Sequence, residues 1–259
     1  MTGHRQPAIF IGHGSPTYAL EPNRYTAAWA SLGKSLRRPD AILVISAHWL
    51  TRGTWVTAMA KPKTIHDFGG FSPALYEVQY PASGSPALAD RIQELLDIPV
   101  VLEEHEWGFD HGAWAVLKYL YPCADIPVVQ LSLDGSKSAA EHYALAKQLR
   151  PLRAENILIL ASGNVVHNLR MMHWEEGAEP YLWAKDFNAF FVAEMHRDDH
   201  AALIHWEEQG EAAHLAVPSP EHYWPALYAL ALQEQGEHAN IIVDGLEMSS
   251  ISMLSFSIQ

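Results

Sequence analysis

Short apolar runs recur along the chain at 8–11, 41–45, 54–59, 99–102, 127–133, 156–161, 240–243 and 251–256. Most lack the polar alternation of a sheet with one wet face, which marks strands buried on both sides. Stretches with a helical period lie between them. In 85–96, Leu88, Ile92, Leu95 and Leu96 share one face, with Ser85 placed to cap and Pro86 in the first helical position. The stretches 113–121, 138–149, 181–197 and 220–235 read in the same way. Strand–helix alternation with strongly apolar strands predicts a three-layer α/β/α fold with a mixed, mostly parallel central sheet. The run at 251–256 follows its predecessor after a short connection, so that end of the sheet is expected to be antiparallel. Neither a fixed-period repeat nor a Pro/Gly/Ser-rich linker divides the chain, and residues 1–259 are expected to form a single domain.

The chief irregular segment is 64–81, which carries Asp67-Phe68-Gly69-Gly70-Phe71. Aromatic side chains around a Gly-Gly pair suit a pocket wall or a lid.

Composition narrows the function. The 259 residues are 49% hydrophobic and 18% charged, an ordinary globular balance. A net charge of −13 argues against nucleic acid or an anionic membrane as partner, since both require a basic face. No apolar run approaches the roughly 18–20 residues that span a bilayer. Residues 1–7 lack the apolar core of a signal peptide, so a cytoplasmic protein is expected. The single cysteine, Cys123, excludes an internal disulfide and a cysteine-built zinc cluster, and its setting beside Pro122 suggests an inert structural residue.

The chemistry lies in the histidines. His13, His48 and His167 each follow an apolar run, and His222 opens the stretch at 220–235. There Ser219 is placed to cap, Pro220 takes the first position and Glu221 favours the positive end of the dipole. Ligands of open α/β sheets gather at the carboxyl ends of the strands, and imidazole suits Fe, Zn, Ni and Cu. These four residues therefore read as one metal site assembled by folding. His4, His66, His105, His142, His173, His196, His200, His205, His214 and His238 lie mostly in polar surroundings and read as solvated. The zincin His-Glu-x-x-His, the Gly-x-Ser-x-Gly elbow and a Gly-rich phosphate loop are all absent from the sequence. Spacing leaves three classes open: a zinc-dependent hydrolase, a non-haem Fe(II) enzyme, and a non-catalytic metal- or aromatic-binding protein.

Several motifs together narrow the choice. Ile11-Gly12-His13-Gly14-Ser15-Pro16, Ile45-Ser46-Ala47-His48-Trp49, Asp67-Phe68-Gly69-Gly70-Phe71, Phe109-Asp110-His111-Gly112-Ala113-Trp114 and Ser162-Gly163-Asn164-Val165-Val166-His167-Asn168 occur in order. With 80–86 and 218–224 they span nearly the whole chain. In this set the chain resembles the LigB-type (class III) extradiol ring-cleavage dioxygenases, and specifically the 4,5-DOPA dioxygenase branch. The resemblance implies one divalent metal per chain at the strand ends, Fe(II) for activity, with Zn(II) able to occupy the same histidines in the purified protein. It implies a small catecholic substrate and O2, and no organic cofactor. His13, His48 and His222 correspond to the metal ligands. His167 corresponds to the acid/base, close enough to ligate in a substrate-free zinc form. His111 corresponds to a second pocket histidine that hydrogen-bonds oxygen or a substrate hydroxyl. A facial triad would instead take Glu221 as its carboxylate, and that alternative stays open at this point.

Overall fold

Successive residues of the central strands face two different apolar cores, which is why the strands read as continuous apolar runs. Leu43 and Ile45 belong to one core, Ile42 and Val44 to the other. The computed structural model describes residues 5–175, 177–197 and 199–259, and His4 therefore lies outside the described residues. The strands are β1 (Ala8–Gly12), β2 (Ala41–Thr51), β3 (Thr54–Thr57), β4 (Val100–Glu103), β5 (Val128–Asp134), β6 (Ile157–Gly163), β7 (Ala239–Val243), β8 (Leu246–Glu247), β9 (Ile251–Ser252) and β10 (Ser255–Ile258). The helices are α1 (Arg24–Ser35), α2 (Pro73–Tyr76), α3 (Pro86–Leu95), α4 (His111–Leu120), α5 (Ala139–Lys147), α6 (Arg150–Ala154), α7 (Leu182–Met195), α8 (Ala201–Ile204), α9 (Glu211–Ala216) and α10 (Trp224–Ala231).

The main sheet has the order β4-β3-β5-β2-β6-β1-β10-β7. Its centre, from β5 through β2 and β6 to β1, is parallel. β3 runs antiparallel to β5, and β10 antiparallel to both β1 and β7. Side chains of α3 and α5 to α10 fill one core, and those of α1, α2 and α4 fill the other. This is the mixed, largely parallel α/β/α architecture expected from the sequence.

Local signals fix several helix starts. The Ser85 side chain accepts from the Leu88 amide, Asp110 accepts from that of Ala113, and Ser138 with Glu141 closes a capping box. An equivalent box of Asn23 and Thr26 starts α1, a helix that the apolar periodicity did not reveal.

Other expectations need correction. The stretch 220–235 is not one helix: a 3-10 turn, Pro220–His222, precedes α10. Ser219 does not cap it, because its hydroxyl donates to Glu221 instead. The run 251–256 breaks into β9, which pairs with β8, and β10, which joins the main sheet. Ser252 accepts from the Leu254 amide and the Leu254 carbonyl accepts from Gly12, which bends the chain from one ribbon to the other. His142 and His200 are buried rather than solvated, and Cys123 is exposed. Among the described residues, no helix is long and apolar enough to cross a membrane.

Candidate metal centre

Three irregularities bring the histidines together. His13 follows β1, and Gly14 behind it adopts φ +64°, a left-handed turn that glycine makes without strain. His48 does not follow its strand, as the sequence suggested, but sits inside β2. The register with β5 slips there, from Ile45 opposite Leu131 to Leu50 opposite Leu133. A bulge of this kind turns a side chain out of the strand's alternation. Ser46 anchors the bulge by donating to Asp110 Oδ1 at 2.7 Å. His222 lies in the turn before α10, and its carbonyl accepts from the Asn164 amide at 2.8 Å. The turn can approach so closely because residue 163 is glycine: a Cβ there would collide with the His222 carbonyl.

The ring nitrogens then determine what these residues can hold. Ser162 Oγ donates to the Gly112 carbonyl at 2.6 Å, so it must accept from His13 Nδ1, 3.0 Å away. Asn164 Nδ2 donates to the Ser252 carbonyl, leaving Oδ1 to accept from His222 Nδ1 at 3.0 Å. His48 Nδ1 lies 3.3 Å from Asp67 Oδ2. Nδ1 of His13 and of His222 therefore carries the proton, the Asp67 charge facing His48 Nδ1 favours the same tautomer there, and each Nε2 then presents a lone pair. The ligand atoms of His13, His48 and His222 all lie within 4.8 Å of one another, and two Nε2 atoms, of His13 and His48, are 3.0 Å apart. Two lone pairs at that distance repel unless a cation lies between them. Nitrogens about 3.3 Å apart are what tetrahedral coordination at roughly 2.0–2.1 Å requires. The donor set therefore fits a borderline divalent metal.

Electrostatics agrees. Burial, reinforced by the neighbouring imidazoles, holds His13 and His222 well below the ordinary histidine value. Burial does the same to His48, with His111 adding to it and the Asp67 charge opposing. Neutral imidazole is the ligand form. Glu221, the alternative carboxylate, is tied to Ser219 and belongs to no cluster of metal-binding geometry among the described residues.

His167 and His111 flank this centre. The His167 ring stacks on that of His222, with centroids 3.5 Å apart and planes 6° apart, and it does not share the three-imidazole cluster. Burial, then the His111 charge, holds it at about 4. His111 opens α4, and its Nδ1 donates to Asp67 Oδ2 at 2.9 Å while its amide donates to Oδ1. Burial works to raise Asp67, but donation from His111 outweighs it and the carboxyl falls to about 2. Beneath it, burial and the Asp67 charge push Asp110 up to about 6.

These groups open onto a cavity of about 490 Å³, walled otherwise mainly by apolar side chains such as Tyr18, Phe68, Phe71, Met172 and Met253, with Glu247 among them. Phe68 and Phe71 do face it, as the loop's composition suggested. The loop is pinned at its Asp67 end, so Asp67 is a structural partner of two histidines, a role that sequence reasoning missed. Asn164 and Ser162 were also missed. A polar residue next to a histidine motif was the only available signal for all three.

The comparisons with known proteins agree with this geometry. Residues 7–257 match the family model of the catalytic LigB subunit of aromatic ring-opening dioxygenases. The chain is 52% identical to a 4,5-DOPA dioxygenase extradiol of Escherichia coli K12, over all of this chain and 96% of that protein. It is 36% identical to a Beta vulgaris protein of the same name, covering 90% of this chain and 89% of the relative. A crystal structure of an uncharacterized E. coli K12 protein superposes with a TM-score of 0.88 at 48% identity, covering 98% of this chain and 100% of that one.

Proposed function

The chain belongs to the LigB family of aromatic ring-opening dioxygenases, and from that premise we propose that it opens the ring of DOPA or a related catechol by extradiol (4,5-) cleavage with O2, at one divalent metal held by His13, His48 and His222. The observation that supports the ligand assignment is the convergence of three imidazoles, with Nδ1 of His13 and His222 hydrogen-bonded and that of His48 facing Asp67, in the lining of a cavity suited to a small aromatic molecule. When bound, the metal polarises both catechol hydroxyls as a Lewis acid and couples the ring electronically to O2. Fe(II) is the ion proposed for activity, and Zn(II) suits the same imidazoles without redox chemistry. The catalytic unit is proposed to be the whole chain, residues 1–259.

His167 and His111 manage protons. A catechol bound at a metal held by His13, His48 and His222 would give up hydroxyl protons, and both histidines line the cavity that would receive it. His167 is neutral at pH 7, because burial holds it at about 4, and so is ready to accept. Negative charge arriving with the substrate raises its affinity for the proton. His111 commits Nδ1 to Asp67, which leaves Nε2 to meet a substrate hydroxyl. Phe68, Phe71 and the methionines pack the ring and exclude water.

The test is oxygen uptake by anaerobically reconstituted Fe(II) protein across a panel of catechols, with spectra of the ring-opened product. One O2 consumed per product is expected. Absence of uptake with every catechol, in a protein verified to hold one metal, would refute the proposal. His167→Ala is expected to keep its metal and lose about 10²–10⁴-fold in turnover, the range of a general base. Metal loss with normal turnover in excess iron would make His167 a ligand instead.

A further inference from the structure

The outer wall of the cavity carries a charge that ring opening does not use. Glu247, at the end of β8, lines the cavity with Tyr18, far along the sequence from every histidine of the centre. We infer that Glu247, with the face of Tyr18, is the recognition site for a cationic amino group on the substrate side chain, so that the pocket takes catechols bearing an ammonium in preference to catechol acids. This inference rests on the catechol reading above and assigns the feature that selects among catechols.

The register places the carboxylate. His167 bridges to Ile251, and Ile251 pairs with Glu247 across the β8–β9 ribbon. Residues directly opposite in antiparallel pairs point to the same face, and all three side chains line the cavity. Two strand spacings put the Glu247 backbone about 10 Å from that of His167.

The carboxylate is held and half used. The Tyr25 hydroxyl donates to Oε1 at 2.7 Å, and the Arg24 guanidinium donates to the Tyr25 oxygen behind it. Burial and the bond to Glu247 push the Tyr25 phenol upward, so it stays a donor. No described residue donates a hydrogen bond to Oε2. Tyr18 stacks on Tyr25, with centroids 6.4 Å apart and planes 14° apart. Burial, then the Glu247 charge, pushes its phenol up to about 12, so it stays neutral. A carboxylate oxygen beside a neutral aromatic ring is the usual setting for an ammonium.

The wall also lacks a counterpart for an acid. Among the described residues, neither lysine nor arginine lines the cavity. Arg52 and Arg170 are exposed, and Arg24 stands behind Tyr25. Of the two carboxylates in the wall, Asp67 is bound by His111 and His48, which leaves Glu247 for a ligand. A substrate carboxylate would meet repulsion there, while an ammonium would meet a partner.

The experiment uses the Zn(II)-loaded protein, in which binding is read without turnover, and calorimetric titration with dopamine, 4-methylcatechol and 3,4-dihydroxyphenylacetate. Wild type is expected to bind dopamine at least tenfold tighter than 4-methylcatechol, and the acid more weakly than either. Glu247→Gln, which keeps the oxygen that accepts from Tyr25, is expected to abolish that tenfold preference and improve binding of the acid. The same ordering is expected in kcat/KM of the Fe(II) protein. Equal affinity of wild type for the amine and the acid would overturn the inference without any variant. So would a Glu247→Gln protein that retains the preference. Failure to bind or cleave every catechol would instead remove the functional reading beneath it.

Discussion

Asp67 Oδ2 lies 3.3 Å from His48 Nδ1 and 2.9 Å from His111 Nδ1, so one carboxylate sets the orientation of a proposed metal ligand and of a pocket base. Such partners raise ligand basicity and fix the tautomer. Asp67→Asn is expected to weaken metal binding about 10–100-fold, measured against a competing chelator. Unchanged affinity would show that His48 is oriented by the bulge alone. A second residue-scale effect lies away from the centre. His142 is fully buried between Tyr228, whose hydroxyl lies 3.0 Å from Nδ1, and the ring of Trp224. Burial lowers it from 6.5 to about 4, against the opposing pull of Asp134. Because the folded value lies below the unfolded one, its contribution to stability is fully present above pH 6.5 and is lost as pH falls to about 4. That amounts to about 3 kcal/mol. In urea titrations over this range, His142→Gln is expected to show an acid limb shallower by the equivalent of one proton, whatever its stability at neutral pH. A slope equal to that of wild type would count against the buried neutral imidazole.

At the scale of elements, the site depends on departures from regular structure. A regular β2 would keep His48 in strict alternation, and the slip between Ile45 and Leu50 removes that constraint. The turn that carries His222 leans on β6 at Gly163, where no side chain fits. Gly163→Ala is therefore expected to displace the Pro220–His222 turn, costing about 1–3 kcal/mol as overpacking does and releasing metal at lower chelator concentration. Gly69→Ala is the control, since a Cβ there meets nothing within 4 Å. Equal chelator sensitivity of the two variants would refute the close contact as the support of His222. Strand identity was legible in the sequence because double burial leaves unbroken apolar runs. The slip in β2 was not, because the apolar run stops at Ile45 and Ser46-Ala47-His48-Trp49 carries no glycine or proline to mark a bulge.

For the whole molecule, the proposed metal ties together β1, β2 and the turn before α10, segments separated by most of the chain. Binding only to the folded state stabilises it by mass action. Zn(II) at about 100 times its Kd should add about 2.7 kcal/mol, a rise in Tm of roughly 5–10 °C for a chain of this size. Calorimetry before and after a chelator reads this directly, and His13→Ala is expected to show no metal-dependent shift. A wild-type Tm indifferent to both metal and chelator would mean that the three imidazoles do not share an ion.

By itself the sequence determined the features that local burial and local chemistry dictate. Apolar runs and capping residues such as Ser85, Asp110 and Ser138 set most of the strands and helices, and the order of the histidine motifs carried the resemblance to the ring-cleaving family. Tertiary structure decided the features that depend on contacts between distant residues. It set His222 beside the other imidazoles, with Asn164, from the end of β6, taking its Nδ1, while Ser219 engages the Glu221 carboxylate. It made Asp67 a shared partner of two rings, and it set Glu247 opposite Ile251 on the face that His167 shares. None of these pairs is close in the chain, and a side chain's role at a site is fixed by which distant atom meets its last free donor or acceptor.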